Sequence, residues 1–219
     1  SSSNTAVATI SGNIVTLVGP GSTTITASQA GNSNYNAALD VTQSLTVLAA
    51  PIAAWNFFGQ NTIDSLAATS FSSNLVSTAG ANAITRGTAA VASAGANSFR
   101  TTGFQNNGIA TTNSDYFQVT LTAATGYQAS LSEIKANFAG TASFYVTPGV
   151  SSQFAYSLDG TNFTLIGSPL IGTSLSGTFD LSSVSALQNV VAGTTITLRY
   201  YASGQTTTGG WGFTSSAAT

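Results

Sequence analysis

Ten charged side chains are all that this 219-residue chain offers for acid, base or ion chemistry. The acids are Asp40, Asp64, Asp115, Glu133, Asp159 and Asp180, and the cations are Arg86, Arg100, Lys135 and Arg199. The acids are widely spaced, so a glycosidase pair, which needs two facing carboxylates, would have to be assembled by folding. Nothing else in the chain builds a sugar-cleaving cleft. The same dispersion argues against calcium, which takes several clustered carboxylates and carbonyls. Glu133 and Lys135 are the only Glu and the only Lys, two apart on a predicted strand, and so share one face. They read as charges that resist unwanted edge pairing; the sharper chemistry is an amide bond from Lys135 to an Asn, assisted by Glu133. The absence of Cys, Met and His removes thiolate and imidazole metal sites, haem, catalytic triads and cysteine nucleophiles. No catalytic residue, metal ligand or cofactor is predicted.

Aromatic rings are the other chemistry available. Tyr201 and Trp211, with Tyr200 and Trp55 nearby in type, are candidates for a sugar-stacking platform, assisted by the polar loop 204–210. Alternation along a strand puts Tyr200 and Tyr201 on opposite faces, so at most one of them is expected in the core. Trp55 and Trp211 read better as core residues, because large aromatic rings are mostly buried. Asp159-Gly160, between two apolar runs, reads as a hairpin turn, where both residues tolerate positive φ. Asn162-Phe163-Thr164 matches a glycosylation sequon without a context that would use it.

The elements that must hold these side chains are strands. Val, Ile, Leu, Phe and Tyr occur in short runs with Thr interleaved, which is β composition. Only 5% of residues are charged, against about 25% in an ordinary domain. Ser and Thr together number 65. A 42% hydrophobic fraction and mean hydropathy of +0.24 set the chain apart from disordered sequences. The longest apolar stretch, 47–55, contains Pro51 and falls short of the roughly 20 residues a membrane span needs. No membrane insertion is expected, and the first eight residues lack the basic start and apolar core of a signal peptide. Four scattered cations make no basic patch, so nucleic acid is not an expected partner.

Residues 1–48 form one segment, with alternating runs at 6–10, 14–18, 23–28 and 41–47 and turns at Ser11-Gly12-Asn13 and Gly19-Pro20-Gly21. An Asn-rich loop, 30–36, carries Tyr35 as its expected anchor. Residues 49–53 read as a linker, and 54–219 as a larger domain. Its strand candidates are 98–102, 116–121, 129–138, 143–147, 153–158, 163–167, 175–181, 194–201 and 210–214, preceded by a small-residue stretch over 67–96. One helical turn is expected over 183–190, capped by Ser182 or Ser183. Many short strands with Gly, Asn and Asp turns indicate an all-β sandwich or jelly roll.

Three motifs of the first segment, Val7-Ala8-Thr9-Ile10-Ser11-Gly12, Gly21-Ser22-Thr23-Thr24-Ile25-Thr26-Ala27 and Gly31-Asn32-Ser33-Asn34-Tyr35, resemble the C-terminal half of a bacterial immunoglobulin-like repeat. Such repeats recur in large secreted surface proteins of Bacteroidota. The second segment resembles a β-sandwich module that follows them, through Ile84-Thr85-Arg86-Gly87, Ser98-Phe99-Arg100-Thr101-Thr102-Gly103-Phe104, Asp115-Tyr116-Phe117, Tyr156-Ser157-Leu158-Asp159-Gly160 and Arg199-Tyr200-Tyr201. The resemblance implies a partial immunoglobulin-like sandwich, with four strands where about seven are needed, followed by a jelly-roll-like sandwich lacking its final strand. It also implies that Asp64-Ser65-Leu66 is similar to Bacteroidota O-glycosylation sites, with Ser65 as acceptor.

These observations lead to one expectation: a non-enzymatic, extracellular structural or adhesive segment of a filament or multidomain adhesin. Self-association through strand pairing would complete its sandwiches, and surface glycans are further expected partners. The alternative expectation is a carbohydrate-binding module acting through Tyr201 and Trp211.

Overall fold

The computed structural model describes residues 1–47, 50–141, 143–173 and 175–217. Leu48, at the end of the first segment, Ala49, at the start of the expected linker, and the last two residues lie outside them. The fold is all-β, as the alternating runs predict, with two units, Ser1–Pro51 and Ile52–Thr219. Among the described residues there is no α-helix. Over the expected helical turn the chain makes one 3-10 turn, Ser185–Leu187, which begins at Val184 without a side-chain cap. Ser182 instead donates its amide to Asp180 Oδ1 at 2.8 Å.

Unit 1 holds β1 (Ala8–Ser11), β2 (Ile14–Leu17), β3 (Gly21–Ala27) and β4 (Val41–Val47). The β1–β2 hairpin closes through Gly12 at φ +62°, the positive φ that a tight two-residue turn of type II′ requires at its first position. β3 and β4 pair over their full length, from Gly21↔Val47 to Ala27↔Val41. On the other edge of β3, Ser1 and Thr26 exchange backbone bonds of 2.7 and 2.9 Å, and Ser2 bridges Ile25. Alternation sorts the β3–β4 sheet into a hydroxyl face of Ser22, Thr24, Thr26, Thr42, Ser44 and Thr46 and an apolar face with Ile25, Leu45 and Val47. The Asn-rich loop is not anchored by Tyr35, whose side chain is 74% exposed. Asn32 does that work by accepting the amides of Asn34 and Tyr35 on Oδ1.

In unit 2 the strands that matter are β5 (Leu66–Ala67), β6 (Ala83–Arg86), β7 (Ala92–Ser93), β8 (Ser98–Thr101), β9 (Tyr116–Thr122), β10 (Glu133–Ala136) and β11 (Phe138–Gly140). They continue with β12 (Val150–Ser157), β13 (Thr164–Leu165), β14 (Leu170–Gly172), β15 (Gly177–Asp180), β16 (Thr195–Ser203) and β17 (Trp211–Thr214). The large sheet runs β13–β12–β16–β9–β6–β5, with β14 also on β12; the small one runs β11–β17–β8–β7, and every pairing is antiparallel. β10 pairs separately with β15. The inner faces meet on an aromatic core in which Phe99, Phe138, Trp211 and Phe213 of the small sheet touch Phe117 and Tyr200 of the large one, with Phe154 packed beside Tyr200. Leu121, Leu131, Leu181, Leu187 and Ile196 belong to a second apolar cluster.

Three strand expectations change. Residues 129–138 do not make one strand: Ala129 pairs with Val190, the strand lapses over 130–132 and breaks again at Asn137, so β10 pairs with β15 while β11 crosses to β17. Residues 143–147 hold only a single bridge, Tyr145↔Gln205. The small-residue stretch conceals β6 and β7. The incoming and outgoing ends of unit 2 clasp each other, with Phe57 N donating to Ser215 Oγ at 3.0 Å and Asn56 Nδ2 to Ala217 O at 3.3 Å.

Candidate functional site

Trp211 and Tyr201 are both completely buried, and neither offers a ring face to a sugar. On β17, Trp211 points inward and stacks on Phe138 and Phe144, with ring centroids 5.6 and 4.8 Å away. Its Nε1 donates to the Tyr200 hydroxyl at 2.7 Å, which is also bonded to Ser152 Oγ at 2.6 Å. Burial pushes the Tyr200 phenol well above its ordinary value, so it stays neutral. Tyr201 points to the opposite face of β16, as alternation requires, yet that face is covered too. Its hydroxyl donates to Thr111 O at 3.0 Å and accepts from Arg199 Nη1 at 3.1 Å. Only Tyr200 joins the core, as alternation requires, but Tyr201 is not left exposed, because the loop before β9 reaches over the outer face of the sheet, a contact 90 residues apart in sequence.

That outer face carries a cluster the sequence reading missed. The Arg199 guanidinium lies 3.7 Å from the ring centres of both Tyr116 and Phe163. Its Nε donates to Gln118 Oε1 at 2.8 Å and its Nη2 to Tyr116 OH at 3.1 Å. The signal was present as alternation: Tyr116 and Gln118 on β9 face Tyr201 and Arg199 on β16 in register. With a bond at each of its three nitrogens, Arg199 fastens the sheet and its covering loops. Arg86 does the same inside. Its side chain is 8% exposed, its guanidinium sits 4.0 Å over the Phe99 ring, and it donates to the carbonyls of Ala90, Arg100 and Ile63. Desolvation lowers its pKa to about 10, opposed by Asp64.

The acids find structural roles. Asp159 closes the β12–β13 hairpin as expected: its carboxylate accepts from the Ser157 hydroxyl, the amides of Thr161 and Asn162, and Asn162 Nδ2. The Asn162 side chain, led by its bond, and these amides hold the Asp159 carboxyl well below the usual range. Asn162, the sequon residue, is thus tied into the turn. Glu133 and Asp180 stand directly opposite across β10 and β15, and Lys135 Nζ lies 2.6 Å from Glu133 Oε1. Lys135 is 73% exposed, whereas an intramolecular amide needs it enclosed against an Asn, so the pair is a surface ion pair. Asp115 is fully buried beside Asn106 Nδ2, at 2.5 Å, and burial raises its pKa. Among the described residues no three His, Cys, Asp or Glu side chains gather. A cleft of about 240 Å³ between β12, β14 and β15 is lined mainly by Phe154, Leu170, Phe179 and Tyr200.

Two surfaces remain. Ser65 is exposed immediately before β5, next to Asp64, which faces Arg86 at 3.6 Å. The other is unit 1, whose buried side chains among the described residues are Val7, Ala8 and Thr23. Ile14, Val15, Leu17, Val18, Leu39 and Val41 all face water. Compared with known protein families, curated proteins and solved structures, the chain matches none. What stands is an all-β protein built of multiple antiparallel sheets.

Proposed function

We propose that this chain is a non-enzymatic, extracellular structural or adhesive segment, a unit of a cell-surface filament or multidomain adhesin that associates through β-strand pairing. The observation that carries this reading is the exposed apolar strand surface of unit 1, Ile14, Val15, Leu17, Val18 and Val41. Large apolar side chains left in water, here on both faces of β2 and on β4, favour burial against another chain. Strands of neighbouring copies, or flanking chain, would supply that cover. Asp40 is the only charged side chain in the first 63 residues, so little electrostatic repulsion opposes contact between copies. The resemblance of this segment to bacterial immunoglobulin-like repeats supports a cell-surface setting, in which the exposed Ser65 would carry an O-linked sugar.

Sedimentation velocity over a concentration series, with negative-stain electron microscopy of the same samples, tests the proposal. Growth of oligomers or fibres with concentration is the expected result. A chain that stays monomeric and is retarded in polysaccharide-containing gels would replace it with a carbohydrate-binding module.

A further inference from the structure

We infer that two copies of this chain join edge to edge through β4, antiparallel about a twofold axis at Ser44, making one continuous four-stranded sheet from two β3–β4 pairs. The inference rests on the self-association proposed above and specifies its surface and its partner, a second copy.

The free edge comes first. β4 is paired with β3 along one side over all seven residues, and among the described residues no backbone group bonds to its other side. Open edges of this kind recruit another strand, and proteins normally blunt them with short strands, charges, Pro or bulges. Unit 2 uses the first three of these devices. β5 and β7, at two sheet edges, have two residues each, and β10 carries Glu133 and Lys135. The β13–β14 edge is interrupted at 166–169, where Pro169 sits and the Gln153 side chain fills the gap by donating to Gly167 O at 2.6 Å. β4 has none of these protections: it has seven residues, with no charge and no Pro.

The partner follows from the sequence of the strand itself. Val41-Thr42-Gln43-Ser44-Leu45-Thr46-Val47 reads almost the same in both directions. Antiparallel pairing about Ser44 sets Val41 opposite the partner's Val47, Thr42 opposite the partner's Thr46 and Ser44 opposite the partner's Ser44. Only Gln43 and the partner's Leu45 are unlike. Residues directly opposite in an antiparallel pair project to the same face, so the hydroxyl face continues across the joint and the apolar face continues beneath it. Cross-strand hydroxyl pairs between directly opposed residues already occur in this fold, as in Ser22–Thr46 at 3.1 Å and Thr122–Thr195 at 3.0 Å. A twofold axis also opposes any charge near it to its own copy. The nearest charge, Asp40, would lie about 27 Å from its mate at 3.4 Å per residue, well past a screening length of roughly 8–10 Å.

Because the chain has no Cys, single-cysteine variants report this register directly. Under mild oxidation with copper phenanthroline, Ser44→Cys should give mostly disulfide-linked dimer. Thr42→Cys alone should give little, and Thr42→Cys mixed with Thr46→Cys should cross-link. Sedimentation of the parent chain is run alongside. Equal dimer from Ser44→Cys and Thr42→Cys, or none from Ser44→Cys while the parent oligomerises, overturns the β4 joint and leaves self-association standing. A parent that remains monomeric overturns both. A charge test needs no thiol: V41K/V47K should weaken association at least about tenfold, and V41K/V47E should restore it, since unlike charges then face each other. Equal weakening by both pairs would also overturn the joint.

Discussion

The indole Nε1 of Trp211 and the phenol of Tyr200 meet at 2.7 Å in the interior of the sandwich, between strands of its two opposed sheets. The bond satisfies two polar atoms that could not otherwise be buried, and Ser152 completes the set at 2.6 Å from the same hydroxyl. It explains how the core accepts the polar ends of both residues.

Tyr200→Phe removes the acceptor for the indole and strands the Ser152 hydroxyl. Leaving a buried donor unsatisfied costs about 1–3 kcal/mol, so a lower urea midpoint with an unchanged m value is expected.

Arg199→Lys keeps the charge and loses the planar fork between Tyr116 and Phe163. Stacked and forked arginines are not replaceable by lysine, and a loss of about 1–2 kcal/mol is expected from the cation–π and hydrogen-bond contributions together. Equilibrium unfolding of the variant measures it; unchanged stability would mean the clamp is an incidental contact.

Two aspartates pull acid stability in opposite directions. Asp159 is held below its unfolded value, so the stability it confers is present above the unfolded pKa, about 3.9, and is lost as pH falls through the folded one. Asp115 is raised, so the folded state keeps its proton longer and its contribution weakens as pH rises from the unfolded value through the folded one. Asp115→Asn should therefore remove a decline of urea midpoint as pH rises above about pH 4, and Asp159→Asn should flatten the fall as pH drops below it. Identical profiles for all three proteins would contradict this assignment.

Ile14→Thr with Leu17→Thr replaces two exposed β2 side chains, so unit 2 should unfold at an unchanged urea midpoint. Association measured by sedimentation velocity should drop if the β2 side chains share in the contact surface alongside the β4 edge. An undiminished association constant would exclude β2 from the contact and leave it to the β4 edge or to unit 2.

What the sequence made legible was local. In unit 1, strict alternation with Gly12 and Gly21 at the turns predicted strands that differ from β1–β4 by no more than two residues at either end. Asp159-Gly160 likewise declared its turn. Contacts made by distant segments were not legible. Tyr201 looks exposed by alternation and is covered by Thr111, 90 residues away. The break between β10 and β11 leaves no mark in the hydrophobic pattern, because both halves keep the same period and only their partners change. Tyr35 misled in the opposite sense, since aromatic type suggests burial while Asn32 can shape the loop without it.

The clasp of Phe57 to Ser215 and Asn56 to Ala217 has a mechanical meaning. Tension applied at the two ends of unit 2 meets that clasp, and the short ladder of Ala53–Ala54 on Ser70–Phe71 just before it, ahead of the two large sheets. The sandwich would hang from a taut strand like a bead on a closed loop, adding little to contour length while intact and releasing slack only after the clasp gives way.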